Sequence, residues 1–198
     1  SGDTLDFLDV VVVDFVFYNT YYEGTYDPNN IVPPNCFSIS AESKSMVPSA
    51  NSPEAQNPDC SSCWANQFGT SGKGKSCQNR CLLAVLPSDA TEETSFSILD
   101  ISPTAVKGFS SYMSGVARGG KMPYEVITHV QCNPAVKHDV AVFSDPQIIE
   151  DDAFLGMVES RLDEAAERLH QEPDVSAFKA ANEAPKKGSL KAPVKRRA

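Results

Sequence analysis

Apolar positions fall into short blocks along this chain, and their period changes from block to block. Residues 8–18, LDVVVVDFVFY, are β-branched and aromatic, with apolar side chains at odd and even positions alike, the pattern of a central strand covered on both faces. CLLAVLP at 81–87 and SFSILDI at 95–101 predict two further strands, separated by a turn around SDATEET. In SPTAVKGFSSYMSGVAR the period becomes helical. Ser102 stands at the N-cap, Pro103 in the first turn, and Val106, Phe109, Met113 and Val116 share one face until GGKMP stops the helix. YEVITHVQ and DVAVFSD, joined by CNPAVKH, predict a closing pair of strands. From about Glu150 a second helix follows, with Leu155, Val158, Leu162, Ala165 and Leu169 as its apolar stripe. Asp151 and Asp152 suit its first turn, where acids favour the helix dipole.

Residues 36–81 break this regularity. They are rich in Ser, Asn, Pro and Gly and carry little period, and a stretch of that length without its own core needs another source of order. The plan is mainly β (α+β): about five strands, one helix between the third and fourth, and a trailing helix. It matches an OB-like small β-barrel, here with a Cys-rich insertion at about 36–81 inside a domain of residues 1–172. Beyond Gln171 the chain turns polar with Pro and Lys, which predicts a disordered basic tail over 173–198.

Charge sharpens the picture. The net charge of −9 over 198 residues argues against a simple basic nucleic-acid binder, but the charge is uneven. Residues 1–50 hold seven acids and one Lys, whereas the last thirteen residues hold six basic groups and no acid. VVVV is too short to span a bilayer and is followed by Asp14, so a soluble, intracellular protein without membrane contact is the expectation.

In a reducing compartment, clustered cysteines more often bind metal than form disulfides. Of the six cysteines, Cys60 and Cys63 form C-x2-C, with Cys77 following and Cys36 preceding. Together Cys36, Cys60, Cys63 and Cys77 suit a closed tetrahedral thiolate site with no position open for catalysis. Zinc is the favoured ion, and spacing alone leaves an iron–sulfur cluster open. Cys81 is a rival fourth ligand but opens an apolar strand, and Cys132 reads as a buried small hydrophobe. Inside the cysteine segment, GTSGKGKS formally meets the Walker pattern from Gly69. No apolar strand precedes it and a strand rather than a helix follows, so it reads as a hairpin presenting Lys73, Lys75 and Arg80 to a phosphate backbone.

Aromatics complete the set. Tyr21, Tyr22 and Tyr26 lie in a polar, turn-rich stretch, and Trp64 and Phe68 flank the Lys loop, where ring faces can stack bases. Ordinary packing explains Phe15 and Phe17 better. His129, His138 and His170 are far apart in sequence, and no nucleophile stands with a base, which predicts a protein that is not an enzyme.

The runs YYEGTYD, PPNCFSIS, SPEAQNPDCSSCWANQFGTSGKGKSCQNRCLLAVL, ILDISPTAVKGFSSYMSGV and PYEVITHV resemble a family of tailed-phage early or replication-region proteins, over roughly residues 8–170. That family is similar to phage single-stranded-DNA-binding proteins. The resemblance implies a replication-accessory role, single-stranded DNA and possible replication or recombination proteins as partners, and the cytoplasm of an infected bacterial host. Its matching cysteines are 36, 60, 63 and 77; Cys81 stands where the pattern expects a basic residue, and the basic tail departs from the acidic tails usual in strand-binding proteins. Two other readings remain at this level: a protein–protein adaptor or virion component with a structural zinc site, and an iron–sulfur accessory protein.

Overall fold

The structure, a computed structural model, describes residues 7–24, 27–29, 31–136 and 140–176. Six strands form one antiparallel sheet: β1 Phe7–Tyr21, β2 Cys36–Ser40, β3 Cys77–Pro87, β4 Ser97–Ile101, β5 Val126–Cys132 and β6 Ala141–Ile148. Three helices accompany them: α1 Pro103–Arg118, α2 Asp152–Glu159 and α3 Leu162–Leu169. The strand order is β4-β3-β1-β5-β6, with β2 on β1 as well. β1 organises everything. β3 lines one of its edges from Val10 to Tyr21, while the other edge is shared, β5 taking Phe7–Val10 and β2 taking Phe17–Tyr21.

The four consecutive valines explain how β1 serves two faces. Val10 and Val12 enter one core, Val11, Val13 and Val16 the other. A bulge between Val12 and Asp14 inserts one residue, which reverses the alternation, so that Phe15 and Phe17 rejoin the face of Val10 and Val12. The first face is covered by α1 through Ala105, Phe109, Met113 and Val116. There Phe109 packs edge-on to Phe15 and Phe143, each with centroids 5.0 Å apart. The second face is covered by α2 and α3 through Val158, Ala165 and Leu169.

The mainly antiparallel α+β class is therefore observed, with helices on both faces of an open sheet. β4 and β6 end the strand path, and no pairing joins them among the described residues, so closure into a barrel is not part of what is seen. Two departures from expectation are local. β2 lies inside the segment expected to be irregular. The trailing helix is two helices, broken where Arg161 turns inward to donate to the Thr94 carbonyl and stack 4.2 Å from the Phe96 ring centroid. Asp151 caps α2 by accepting from the Ala153 and Phe154 backbone N–H groups. Cys81 is fully buried in the α1-side core as anticipated, but Cys132 is exposed: it ends β5, where the strand runs past the core. Most of the expected tail, from 177 onward, and His138 lie outside the described residues; within the earlier part, Val175 is buried. No helix among the described residues is long and apolar enough to cross a membrane.

Candidate nucleic-acid interface and thiol cluster

Strand register assembles half of the cysteine cluster. Cys36 in β2 and Cys77 in β3 are both cross-strand partners of Tyr21, so the two thiols flank that tyrosine on one face of the sheet end. The other half comes from the long connection 41–76, which folds back over this face. Met46, Cys63 and Ala65 are its buried anchors. Short polar side chains tie it down: Ser38 Oγ donates to the Val47 carbonyl at 2.6 Å, the Phe37 N–H to Ser52 Oγ at 3.0 Å, and Asn66 Nδ2 to the Cys60 carbonyl at 2.7 Å. Thr70 Oγ1 donates to the Gln67 carbonyl at 2.7 Å and accepts from the Ser76 N–H at 2.9 Å. Gly69 and Gly72, both at positive φ, allow the tight hairpin closed by the Ser71–Gly74 bridge. Side-chain-to-backbone bonds thus provide one source of the order that this stretch was expected to need.

Cys36, Cys60, Cys63 and Cys77 line one cavity of about 20 Å³, together with Tyr21, Asn19 and Ser38. That is room for a water-sized species and not for an organic ligand. None of the four is in a disulfide. Burial pushes the Cys77 thiol up to about 12, with the neighbouring charges of Cys60, Cys63 and Cys36 adding to the rise and Lys75 opposing it. Burial also raises Cys60, against hydrogen bonds with Ser38 and Asn19 that favour its thiolate. The donor set and its burial therefore fit a thiophilic ion. The spacing does not yet do so: among the described residues no three His, Cys, Asp or Glu side chains are gathered closely enough to hold one.

The aromatic and basic residues divide between the two faces. On the cysteine side, the Trp64 ring meets Tyr21 edge-on at 5.5 Å and its Nε1 reaches Gln56 at 3.3 Å, leaving the indole 47% exposed. Phe68 is 80% exposed, and Lys75 Nζ lies 5.1 Å from its ring centroid. Lys73 is exposed on the hairpin. Tyr21 is half-buried, with its ring against Trp64. On the opposite face, Tyr18 and Tyr22 lie close enough to Arg80 and Asp100 to feel their charges. Arg80, expected to act with the Lys loop, is bound to Asp100 at 2.6 Å, which compensates its charge. Tyr26 lies outside the described residues.

Four residues that sequence reasoning passed over, Asn19, Asn66, Asn79 and Lys44, stand beside this interface. Lys75 Nζ donates to Asn66 Oδ1 at 3.0 Å and Asn79 Oδ1 at 2.9 Å, and Asn79 Nδ2 donates to Asn19 Oδ1 at 2.7 Å. Lys44 borders the same region from the far end of the connection, in a groove of about 450 Å³ between the connection, the sheet and α1. Lys44 did carry a signal, being the lone basic residue of the first fifty. The asparagines carried none, because only strand register brings Asn19 opposite Asn79.

Comparison with known protein families, curated proteins and solved structures finds no match for this chain.

Proposed function

We propose that this is a non-enzymatic single-stranded-DNA-binding protein of a replication-accessory kind, whose cysteine-rich connection is a knuckle held by a structural metal ion, zinc in the first instance. The observation that carries the reading is the rim of that connection. Phe68 and Trp64 both leave ring surface exposed along it, with the Lys75 ammonium 5.1 Å from the Phe68 centroid. A large apolar ring left in solvent next to a cation is poorly explained by packing. It suits a base stacked on the ring with its phosphate on the cation, an arrangement open to single strands because a duplex hides its base faces. The OB-like architecture and the phage setting inferred from the sequence belong to this same proposal. When bound, the metal would tie Cys36, Cys60, Cys63 and Cys77 together and neutralise thiolates that burial disfavours.

Trp64 is the sole tryptophan, so intrinsic fluorescence reports on the proposed interface directly. Titration with an oligothymidylate is expected to quench it, less at high salt, and a duplex of equal length is expected to quench it less. Elemental analysis of protein purified without chelator is expected to find about one zinc per chain. Unchanged fluorescence and no salt-sensitive binding would reject the reading and favour the adaptor; iron with visible absorbance would replace zinc by a cluster.

A further inference from the structure

The groove beside the knuckle has a composition at odds with the rest of the molecule. Lys44, Lys75 and Arg80 border it, and none of its described lining residues is acidic, in a chain of net charge −9. Arg80 is already answered by Asp100. Lys75 is different. Its ammonium is held by two neutral amide oxygens, from Asn66 and Asn79, and Asn79 is fixed in turn by Asn19, which is buried. Carboxylates would hold a lysine as well, but would cancel its charge. Amide oxygens fix its position and leave the full positive charge in place. A partly buried cation so placed favours an anion at its remaining N–H. Lys44, exposed at the groove margin, adds a second positive charge. About 450 Å³ is ample for a sugar–phosphate unit.

We infer that the groove between the knuckle and α1 is the track for a phosphodiester backbone, with Lys75 as its prepositioned phosphate ligand and Lys44 as a second contact. The inference rests on the single-strand reading for its ligand and assigns that ligand a path. A phosphate on Lys75 places the attached base within one nucleotide's reach of Phe68, so the strand runs along the groove and turns its bases outward over the aromatic rim. Lys44, remote in sequence from the Lys loop, becomes part of the site.

The test separates backbone from bases. Labelled oligothymidylate and a base-free deoxyribose-phosphate oligomer of the same length are titrated by anisotropy at several salt concentrations, using the full chain and the variants Lys44→Ala, Lys75→Met and Phe68→Ala. The wild type is expected to bind both oligomers, the base-free one more weakly. Lys44→Ala and Lys75→Met are each expected to flatten the salt dependence by about 0.7 log unit of affinity per log unit of salt, on both oligomers. Phe68→Ala is expected to weaken oligothymidylate alone. Lys44 is exposed, so its variant tests the track even if Lys75→Met disturbs the asparagines. Binding of oligothymidylate with no binding of the base-free strand, or with slopes unchanged in Lys44→Ala, would overturn the track and leave the stacking reading standing. Failure of the wild type to bind either oligomer would overturn both.

Discussion

Phe68 holds 80% of its surface in solvent and so contributes little to the fold, which makes it a clean probe of function. Phe68→Ala is expected to change the unfolding free energy by no more than about 0.5 kcal/mol. It should weaken single-strand binding by about 1–3 kcal/mol at every salt concentration, because the stacking it removes is not ionic. Phe68→Tyr keeps the ring face and should be nearly silent; calorimetric melting and oligonucleotide titration of the three proteins check both statements. On the opposite face, Tyr18 makes a prediction about pH. Burial above all, with the nearby Tyr22 adding to it, raises its hydroxyl from 10.0 to about 12. Between those values the folded chain keeps a proton that the unfolded chain has lost, so stability falls as pH rises through that window. Tyr18→Phe removes this part of the fall. Denaturant midpoints measured on either side of the window should diverge less for the variant, and equal divergence would show that Tyr18 ionises as freely in the folded chain as in the unfolded one.

At the scale of elements, legibility depended on whether the signal was local. The double-faced apolar run of β1 and the 3.6-residue stripe of α1 were readable because each is a periodicity within one stretch. β2 was not readable: Cys36–Ser40 is five residues, and it becomes a strand because β1 extends past its apolar core to Tyr21 and offers an edge there. The exposure of Cys132 has the same kind of cause, since it follows from where β5 ends relative to the core and not from the residues around it. The cysteine cluster was half readable. C-x2-C marks a pair, but the placement of Cys36 and Cys77 on either side of Tyr21 is a matter of register. The break between α2 and α3 has no Gly or Pro to announce it; a tertiary contact imposes it. Arg161, with a side chain only 13% exposed, gives one N–H to the Thr94 carbonyl and its flat face to Phe96. Arg161→Ala is expected to cost about 1–3 kcal/mol, and Arg161→Lys most of that, because an ammonium keeps the charge without the plane. Urea unfolding measures both. A silent Lys variant would show that charge alone anchors the joint.

For the whole molecule, the decisive feature is that the two helix-covered cores and the thiol cavity are separate. Among the described residues, Cys81 belongs to a helix-covered core, whereas Cys36, Cys60, Cys63 and Cys77 surround their own small cavity at the sheet end. The connection 41–76 also has its own hydrogen bonds, to Phe37 and Ser38 outside it and between Asn66 and Cys60 within it. Loss of the thiol cluster should therefore be a local event. Cys60→Ser combined with Cys63→Ser is expected to shift Trp64 emission to the red, as the ring loses its seat on Tyr21, and to open cleavage sites within 41–76. The sheet and helices should keep their circular dichroism and unfold in one transition near the wild-type midpoint, because Val10, Leu83, Phe109 and Leu169 keep their neighbours. Chelation of wild-type protein should reproduce the Trp64 shift if a metal holds the cluster, and leave it unchanged if hydrogen bonds alone do. Collapse of the main transition in the double variant would instead show that the knuckle is part of what folds the sheet, through β2, and that the molecule is one cooperative unit with its proposed binding surface inside it.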